Sequence, residues 1–538
     1  MTESSFDYIQ ENDGLYVDKT KEIHENLLSK RMKNYFLVRP RRFGKSLLCS
    51  TLANLFGGKS KEVLFKDLWI GRSGVWDFEK EEHPVIHLDM SNAAGENLNV
   101  VDFEKDVKYM LEEIAISAGV QLRINENNIK QCLKILINML KAKYKKPVVV
   151  IIDEYDKPIL NLINEPTEME AVRKSLQSFY SVLKPQEANL RLVFITGLYK
   201  FTEMSMFSTL NNLLDISLKF PAGTLVGYTE SEIKEYFHDH IQAFKAKLNI
   251  TDDDILMNEL RERYNGYKFG LDMGDGKVSE PIYNPFAINH VFEFLEFIDE
   301  WNSSGSASIL SKKLIEHGYR YESQLTTSAE ELTSPCNSND MSLTSLMYYG
   351  GYATIDKYDK ETNKVVLKIP NKSINKYLAR DYLKSKFSIS SITEFERVAK
   401  EVHDVMILTP ISEMGSSIEE ITKSFDSVLN HFTYDVMNSE AAFRNIIDSV
   451  FKIGFHNVAH ESHTKNGRMD TKIIEKARIF IIEYKYLEEA SKALKQIRAK
   501  EYYAKYLSMN LPILLLGISL MIDEESKNRY IDIRYDSI

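Results

Sequence analysis

The feature that most constrains the fold is an apolar run at residues 35–38 that leads through a short basic loop to Gly44-Lys45-Ser46. The run predicts a buried strand, and the triplet predicts the first residues of a helix. A strand, a loop and a helix in this order form the setting in which backbone N–H groups and a helix N-terminus bind phosphate. Lys45 is therefore expected to reach the terminal phosphates of a nucleotide, and the Ser46 hydroxyl to ligate Mg²⁺.

The start of this loop departs from the usual pattern. G-x-x-x-x-G-K-[ST] requires glycine at position 39, where this chain has Arg39, and the following Pro40 fixes φ. We expect the loop to begin in a different shape, with Arg41, Arg42 and Gly44 contributing to nucleotide binding. Taken alone, Gly-Lys-Ser is also compatible with an ordinary structural turn, so the rest of the chain has to decide.

Further along the chain, an apolar run at 147–152 ends in two carboxylates, Asp153 and Glu154. Such a run is typical of a parallel strand buried on both faces, and ligands bind at the carboxyl ends of strands in open α/β sheets. Asp153 is expected to complete the Mg²⁺ site with Ser46, and Glu154 to polarise the attacking water. The alternative is a buried strand with a solvated acidic end. The presence of both motifs, in this order, favours a nucleotide site.

Two further runs extend the predicted sheet. Residues 190–197 form a third buried strand, which places Thr196 where P-loop ATPases carry a polar residue that senses the γ-phosphate. Residues 83–90 supply a fourth strand, and the stretches between the runs have helical spacing. Alternation of strands and helices from about residue 10 to 220 indicates a parallel α/β sheet.

Composition limits the number of domains and the class of protein. A chain of 538 residues is too long for one core, so several domains are expected. The formal charge of −10 excludes a uniformly basic protein. No apolar run reaches the length of a membrane span, and the first residues lack the features of a signal peptide. Three cysteines without metal-site spacing predict a reducing interior. We therefore expect a cytoplasmic protein that does not contact a membrane.

The pattern predicts four segments. They are a P-loop domain at 1–225, a helical lid at 226–310, a winged-helix-like module with a helical connector at 311–430, and an α/β domain at 431–538. Thr229 and Glu232 are spaced as a helix N-terminal capping pair. Residues 341–385 have the order helix, β-hairpin, helix, which is the outline of a winged helix. Such modules either bind DNA or pack on a nucleotide domain as a lid, and the lid is favoured.

A second group of reactive residues lies on a predicted hairpin. Asp470 falls on its first strand, and Glu483 and Lys485 fall on its second. Residues two apart on a strand share a face, so Glu483 and Lys485 point together while Tyr484 points away, and strand pairing brings Asp470 beside them. Carboxylates suit Mg²⁺ or Mn²⁺, and the ammonium can stabilise or activate water that attacks a phosphodiester. The alternative is a charged hairpin with a Glu483–Lys485 salt bridge.

The flanking sequence matches the PD-(D/E)XK nuclease fold in its order of helix, Asp, Glu-x-Lys and basic helix. In that fold, Glu440 lies where a further metal-binding acid is often supplied, beside Asp470 and Glu483. A helix at 488–506 is expected to follow the hairpin and to line phosphates of nucleic acid. The residues predicted to do so are Lys492, Lys495, Gln496, Arg498 and Lys500, with Lys505 further on.

The chain as a whole resembles AAA-ATPase-like proteins that carry a C-terminal PD-(D/E)XK nuclease domain. The resemblance rests on Tyr16-Val-Asp-Lys-Thr20, Arg39-Pro-Arg-Arg-Phe-Gly-Lys-Ser46, Ile152-Asp-Glu-Tyr-Asp156, Phe194-Ile-Thr-Gly197, Tyr283-Asn-Pro-Phe286 and the block from Gly467 to Lys485. It implies an AAA+/STAND-like P-loop fold, ATP as the nucleotide and Arg39 as a family trait. Tyr484 stands where many relatives have Phe. A role in defence or mobile-element biology is a further hypothesis.

Two functions remain open on the sequence. In the first, Glu154 supports ATP hydrolysis while Asp470, Glu483 and Lys485 cleave nucleic acid, with DNA favoured, and the nucleotide state gates access to the nuclease. In the second, the chain is a nucleotide-switched interaction or nucleic-acid-binding module whose nuclease fold is not catalytic. Homo-oligomerisation is compatible with either function.

Overall fold

A parallel sheet carries the phosphate-loop motif in a computed structural model of the chain. Among the described residues this sheet has five strands: β1 Asn34–Val38, β2 Val85–Asp89, β3 Val148–Asp153, β4 Leu190–Gly197 and β5 Leu214–Asp215. Their order across the sheet is β2-β3-β4-β1-β5, and every neighbouring pair is parallel. β1 and β3 are buried along their whole length, as expected for central strands of a parallel sheet. The predicted parallel α/β sheet is confirmed.

The described part of the chain forms two compact units. The first contains the chain up to Ile298 together with Thr326–Leu367, and the second contains Lys368–Ile538. The structure describes residues 3–95, 98–125, 127–201, 212–298, 324–334, 342–387, 392–432, 437–455, 458–464, 467–475, 477–523, 525–526 and 528–538. In these ranges no helix is long and apolar enough to cross a membrane. The predicted segment boundary between residues 310 and 311 lies outside the described residues.

Helices flank the parallel sheet along the chain. They are α1 Phe6–Glu11, α2 Thr20–Ile23, α3 Lys45–Leu55, α4 Trp69–Ser73, α5 Val100–Ser117, α6 Ile129–Tyr144, α7 Lys157–Asn161 and α8 Pro166–Tyr180. A π-helical turn, His24–Leu28, continues α2. Short 3₁₀ turns lie at Lys59–Phe65, Met90–Ala93, Glu187–Asn189 and Phe220–Ala222. The side chains of Asn99 and Asn128 cap α5 and α6, so polar residues begin both helices as capping chemistry requires.

The next segment of the first unit is mainly helical. It contains α9 Glu230–Tyr236, α10 His238–Leu248, α11 Asp253–Tyr264 and α12 Pro285–Phe294, with two short strands, β6 Leu271–Asp272 and β7 Lys277–Val278. Thr229 and Glu232 form a capping box at the start of α9, which confirms the predicted helix start. Asn284 caps α12.

A small sheet and a helix join the two units in sequence. The elements are β8 Gln324–Ser328, α13 Ala329–Thr333, α14 Leu343–Gly350, β9 Thr354–Asp359, β10 Lys364–Lys368 and α15 Lys372–Phe387. The strand order is β8-β10-β9. Helix, hairpin and helix therefore follow one another as predicted, but the unit division falls between the hairpin and α15. The winged-helix and lid assignments stay predictions.

A second sheet organises the other unit. Its elements are α16 Thr393–Leu408, a 3₁₀ turn at Ile411–Glu413, α17 Met414–Leu429, α18 Glu440–Gly454, β11 Val458–Thr464, β12 Gly467–Ile474, β13 Ile479–Tyr486, α19 Ala490–Ala499, a 3₁₀ helix at Ala504–Met509, β14 Ile513–Ile522 and β15 Arg529–Ser537. The strands lie in chain order, and β13 pairs with β14 in parallel while the other pairs are antiparallel. α19 is the crossover between the parallel strands.

The two faces of this second sheet bury different side chains. Ile482 and Tyr484 belong to a core with α16, α17 and α18. Ile481 belongs to a second core with Ile497 of α19 and Tyr506 of the 3₁₀ helix. Because side chains alternate along a strand, the catalytic candidates of β13 lie on the α19 face. The α/β fold agrees with the predicted nuclease fold.

Candidate functional sites

The side chain of Lys45 spans the loop after β1. Gly44 has φ 91° and caps α3, a left-handed conformation that favours glycine. Lys45 is 4% exposed, and its ammonium donates a hydrogen bond to the carbonyl of Pro40 at 3.1 Å. The lysine charge therefore lies across the loop that the motif predicts to enclose phosphate.

Arg39 explains how the loop begins without the usual glycine. Its buried guanidinium donates to the carbonyls of Val38, Ser217 and Ala222 at 2.9, 2.7 and 2.8 Å and lies 4.7 Å from the ring centre of Phe269. Burial lowers its pKa to about 10, so it stays charged at neutral pH. Arg39 braces the base of the loop and is not a phosphate ligand in this arrangement.

The next two arginines contact helix α12. The amide of Asn284 donates to the carbonyl of Arg41 at 3.4 Å. Arg42 has φ 64°, and its guanidinium carbon lies 4.1 Å from the ring centre of Phe286, within cation–π range. The Tyr283-Asn-Pro-Phe286 motif thus supports the loop. The roles of Arg41 and Arg42 in nucleotide binding stay predictions.

Three strand ends bring polar groups to one edge of the sheet. The Ser46 hydroxyl hydrogen-bonds Asp153 at the end of β3, but burial raises the pKa of that carboxyl to about 6. Asp89, which sequence reasoning did not select, is the register partner of Asp153 on β2. Thr196 ends β4, which lies between β1 and β3, and its buried hydroxyl has no hydrogen-bond partner within the described ranges. The predicted nucleotide residues therefore converge.

The two acids after Asp153 have different surroundings. Glu154 is half-buried with φ 50°, and its N–H donates to Asp153 Oδ1 at 2.9 Å. The carboxylate of Asp156 accepts the N–H groups of Leu198 and Tyr199 at 3.0 and 2.7 Å. Burial, followed by the charge of Glu154, raises the pKa of Asp156 to about 7. Asp156 anchors the loop after β4, whereas Glu154 keeps its side chain at the edge.

A cavity of about 50 Å³ adjoins the phosphate loop. It is lined mainly by apolar groups, including Tyr16, Val17, Leu47, Val226 and Pro285, next to Gly44. The family motif at 16–20 therefore contributes a wall of the cavity, a role that its sequence did not reveal.

The hairpin of the second unit brings the predicted catalytic residues together. The N–H of Asp470 on β12 points to Glu483 Oε2 at 3.5 Å, and the N–H of Tyr484 donates to Asp470 Oδ2 at 3.0 Å. Lys485 Nζ lies 4.0 Å from Glu483 Oε1. Both carboxylates and the ammonium thus share one face of β12 and β13, as the alternation of side chains predicts.

Gln496 of α19 connects two of these groups. Its amide carbonyl accepts from Lys485 Nζ at 2.9 Å, and its amide nitrogen donates to Glu483 Oε1. The direct contact between Glu483 and Lys485 is therefore long for a salt bridge, and Gln496 hydrogen-bonds to both side chains. In the structure this side chain hydrogen-bonds to both reactive groups, and its predicted contact with nucleic acid stays a prediction.

Burial and the repulsion between like charges raise the pKa values of these acids. Desolvation, then the charge of Asp470, raise the pKa of Glu483 to about 8, and desolvation raises that of Asp470. Desolvation also raises the pKa of Glu440, the first residue of α18, which feels the charges of Lys485 and Asp470. A divalent cation would relieve this repulsion. In the described part of the chain no group of three acids, histidines or cysteines is close enough to hold a metal, and the predicted metal set of Glu440, Asp470 and Glu483 stays a prediction.

We expect a pH-dependent effect of Mg²⁺ on thermal stability. Folding raises the pKa of Glu483 from about 4.5 to about 8, so stability is full below the lower value and is lost as rising pH ionises the group. Because Mg²⁺ stabilises the ionised form, the gain in Tm from Mg²⁺ should be larger at pH 8.5 than at pH 5.5. In Glu483→Gln this difference should shrink. An Mg²⁺ effect that is equal at both pH values in calorimetry contradicts the predicted ion site.

The structure adds two residues that sequence reasoning missed. Arg444 of α18 pairs with Asp470 Oδ1 at 3.2 Å. Asp448 accepts the hydroxyls of Thr471 and Tyr484 at 2.8 and 2.5 Å, which fixes the strand positions on either side of the site. These residues follow Glu440 at intervals of four, which places them on one helix face. Charged residues at that spacing in an otherwise apolar helix were the available signal.

The predicted basic helix is shorter than expected. α19 ends at Ala499, because Glu501 takes a left-handed conformation with φ 47° and Tyr502 enters the core. Lys492 pairs with Glu488 at 3.2 Å, and Arg498 donates to Asp536 at 2.6 Å. Lys495 and Lys500 are exposed. A continuous helix over 488–506 was wrong, and its contact with nucleic acid stays a prediction.

Comparison with known proteins identifies a domain at each of the two candidate sites. Residues 2–207 match the AAA-ATPase-like family, described as predicted AAA-ATPase, and residues 438–530 match the PD-(D/E)XK nuclease superfamily. The relative described as uncharacterized protein in vnfD 5′ region, from Azotobacter chroococcum mcd 1, is 30% identical over 535 residues, which cover 97% of this chain and 96% of the relative. No solved structure matches.

The chain belongs to the family of AAA-ATPase-like proteins with a C-terminal PD-(D/E)XK nuclease superfamily domain. The resemblance inferred from the motifs is thereby confirmed. Members of these families generally use a nucleotide and a divalent metal.

Proposed function

We propose that this protein binds and hydrolyses ATP at the first site and cleaves nucleic acid with a divalent metal at the second. The observation that carries the nuclease proposal is the meeting of Asp470, Glu483 and Lys485 on one face of β12 and β13. Two carboxylates and an ammonium at one point are the groups that metal-assisted phosphodiester hydrolysis requires. DNA is the favoured substrate, and ATP state is proposed to control cleavage.

In the nuclease site each residue has a separate task. Asp470 and Glu483 would hold Mg²⁺ or Mn²⁺, which polarises the phosphodiester and lowers the pKa of a bound water. Lys485 supplies positive charge for the developing negative charge on phosphate, and Gln496 fixes its ammonium by the 2.9 Å hydrogen bond. Glu440 is a further acid near this site, and Arg444 positions Asp470.

In the nucleotide site, the residues at and after the strand ends have separate roles. Lys45 neutralises the terminal phosphates, and Ser46 and Asp153 would hold the Mg²⁺ that accompanies ATP. The Thr196 hydroxyl, which lacks a described partner, is available to the γ-phosphate. Glu154 orients the attacking water.

Lys45→Ala should weaken ATP binding by roughly 10-fold or more. The substitution removes a charge-assisted contact of about 1.5–3 kcal/mol to the β- and γ-phosphates. Isothermal calorimetry with Mg²⁺–ATP measures the change, and Lys174→Ala, an exposed lysine of α8 in the same unit, is the matched control. Equal affinity in the Lys45 variant and the parent removes this loop from the nucleotide site.

The substrate is tested directly with purified full-length protein. Supercoiled plasmid, linear duplex DNA, single-stranded DNA and RNA are incubated with Mg²⁺ or Mn²⁺, each with and without ATP, next to samples containing EDTA. We expect metal-dependent cleavage of DNA that ATP changes in rate. Cleavage that persists in EDTA contradicts a metal-dependent reaction, and selective cleavage of RNA contradicts the preference for DNA.

A second candidate is supported by the hydrogen bonds of the two carboxylates. Asp470 is paired with Arg444, and Glu483 accepts from Gln496, so protein groups occupy oxygens that a metal would need. In that case the domain is a nucleic-acid-binding or interaction module switched by nucleotide. Binding of nucleic acid without cleavage under every metal and nucleotide condition supports this candidate.

A further inference from the structure

We propose that Lys472 and Lys505 form a phosphate site that holds the nucleic-acid backbone next to the catalytic residues. The proposal rests on the proposed nuclease function and deepens it, because it names residues that hold the substrate strand. Lys472 was not among the residues that the sequence pattern selected.

The position of Lys472 follows from its strand. It lies two residues after Asp470 on β12, so their backbones are about 7 Å apart. Its register partner on β13 is Ile481, which belongs to the core beneath α19 and the helix Ala504–Met509. Lys472 therefore lies on the same face of the sheet as the catalytic groups.

Two ammonium groups gather at one aromatic ring. Lys472 Nζ lies 5.4 Å and Lys505 Nζ 5.0 Å from the ring centre of Tyr506. Tyr506 is 6% exposed and is part of the core, so its ring is a fixed platform. Like charges that approach one ring repel each other, and an anion that contacts both removes the repulsion. Phosphate oxygens accept charge-assisted hydrogen bonds from lysine ammonium groups.

The hydroxyl of Tyr506 lies inside the core and brings no counter-charge to the two lysines. It is buried and has no hydrogen-bond partner within the described ranges, although buried hydroxyls are normally satisfied. Burial raises the pKa of Tyr506 to about 12, so the group is uncharged at neutral pH and does not neutralise the lysines. The chain also carries no Asp or Glu between Glu501 and Asp523, so this segment brings no carboxylate that competes with phosphate.

Two cations of the neighbouring helix α19 form ion pairs. Lys492 and Arg498 of α19 already pair with Glu488 and Asp536. Lys472 is only two strand residues from Asp470. Lys472 and Lys505 would thus hold a phosphate close to the bond that is cut.

The test measures binding without cleavage. Labelled duplex DNA, single-stranded DNA and RNA of one sequence are titrated with the full-length protein in EDTA, at several salt concentrations, by fluorescence anisotropy. Lys472→Gln/Lys505→Gln should weaken binding about 10-fold or more and reduce the slope of log affinity against log salt by about one unit. The matched control is Lys400→Gln/Lys423→Gln, because these exposed lysines lie on α16 and α17, the helices of the opposite core. It should stay within about twofold of the parent.

Each outcome decides the proposal. Equal effects in the two double variants, or no effect in either, overturn it. A loss that appears instead in Lys492→Gln/Arg498→Gln assigns the backbone to α19 and also overturns it. Lys505→Gln alone, at an exposed position, carries the test if the double variant fails to fold.

Parallel cleavage assays in Mn²⁺ distinguish failure of the phosphate site from failure of the nuclease function. A parent that cuts, with binding unchanged by the lysine substitutions, refutes the phosphate site but leaves the nuclease function standing. A parent that binds but does not cut refutes the nuclease function while the phosphate site is still tested. A parent that binds no nucleic acid refutes both.

Discussion

Replacement of Glu483 or Asp470 by alanine is expected to lower metal-dependent cleavage of nucleic acid by roughly 10³-fold or more. Each substitution removes a hard oxygen ligand, and the loss of several kcal/mol of transition-state stabilisation corresponds to that factor. The rate is measured under single-turnover conditions with saturating protein, so that weaker substrate binding does not disguise the result.

Two controls separate catalysis from folding. Glu483→Gln preserves the shape of the side chain, so it should remain folded and still lose cleavage. Glu525→Gln removes an exposed carboxylate from the same unit and should cleave like the parent. A Glu483→Gln protein that cuts at the parent rate means that the hairpin is not the catalytic site.

Lys485 is expected to stabilise charge on the phosphate, whereas the two carboxylates bind the metal. Lys485→Ala should reduce cleavage as strongly as the carboxylate substitutions, because it removes the positive charge beside the phosphate. Its affinity for Mn²⁺ should be retained, since an ammonium repels a cation. Loss of Mn²⁺ binding in Lys485→Ala, measured by calorimetry, would show that the lysine acts by holding the carboxylates in place.

Glu154→Gln is expected to bind ATP normally and to hydrolyse it about 10²–10³-fold more slowly. The amide keeps the shape of the side chain but cannot orient and polarise the attacking water as a carboxylate does. Steady-state phosphate release measures turnover, and calorimetry measures affinity. Glu165→Gln, which alters an exposed acid just before α8, is the control.

Unchanged turnover in Glu154→Gln would mean that Glu154 is structural. Asp156 is poorly placed to substitute for it, since both of its oxygens accept backbone N–H groups of the loop after β4. Hydrolysis would then need a base from elsewhere in the chain. A variant that neither binds nor hydrolyses ATP would instead indicate that the edge of the sheet is disturbed.

Local patterns predicted the frameworks of both sites. Continuous apolar runs marked β1 and β3 as central strands of a parallel sheet, and the carboxyl end of β3 therefore had to place Asp153 near the phosphate loop. Alternation along β13 correctly placed Glu483 and Lys485 on one face and Tyr484 on the other. These features depend on nearest neighbours and on strand geometry, which the sequence records directly.

Contacts between distant residues were not predictable in the same way. Arg39 binds carbonyls of residues 217 and 222, and nothing in the loop sequence indicates those partners. Arg444 and Asp470 are 26 residues apart and meet only after α18 packs on the sheet. The early end of α19 likewise depends on Tyr502 and Tyr506 entering a core built from three strands, so local helical spacing overestimated its length.

The measurement that tests the central claim most directly is the cleavage rate of plasmid DNA as a function of Mn²⁺ concentration, for the full-length parent and Glu483→Gln side by side. We predict that the parent rate rises to saturation with Mn²⁺ and falls to background in EDTA, while the variant stays at background throughout. Equal rates in the two proteins, or a parent that binds DNA and never cuts it, would contradict a metal-dependent nuclease.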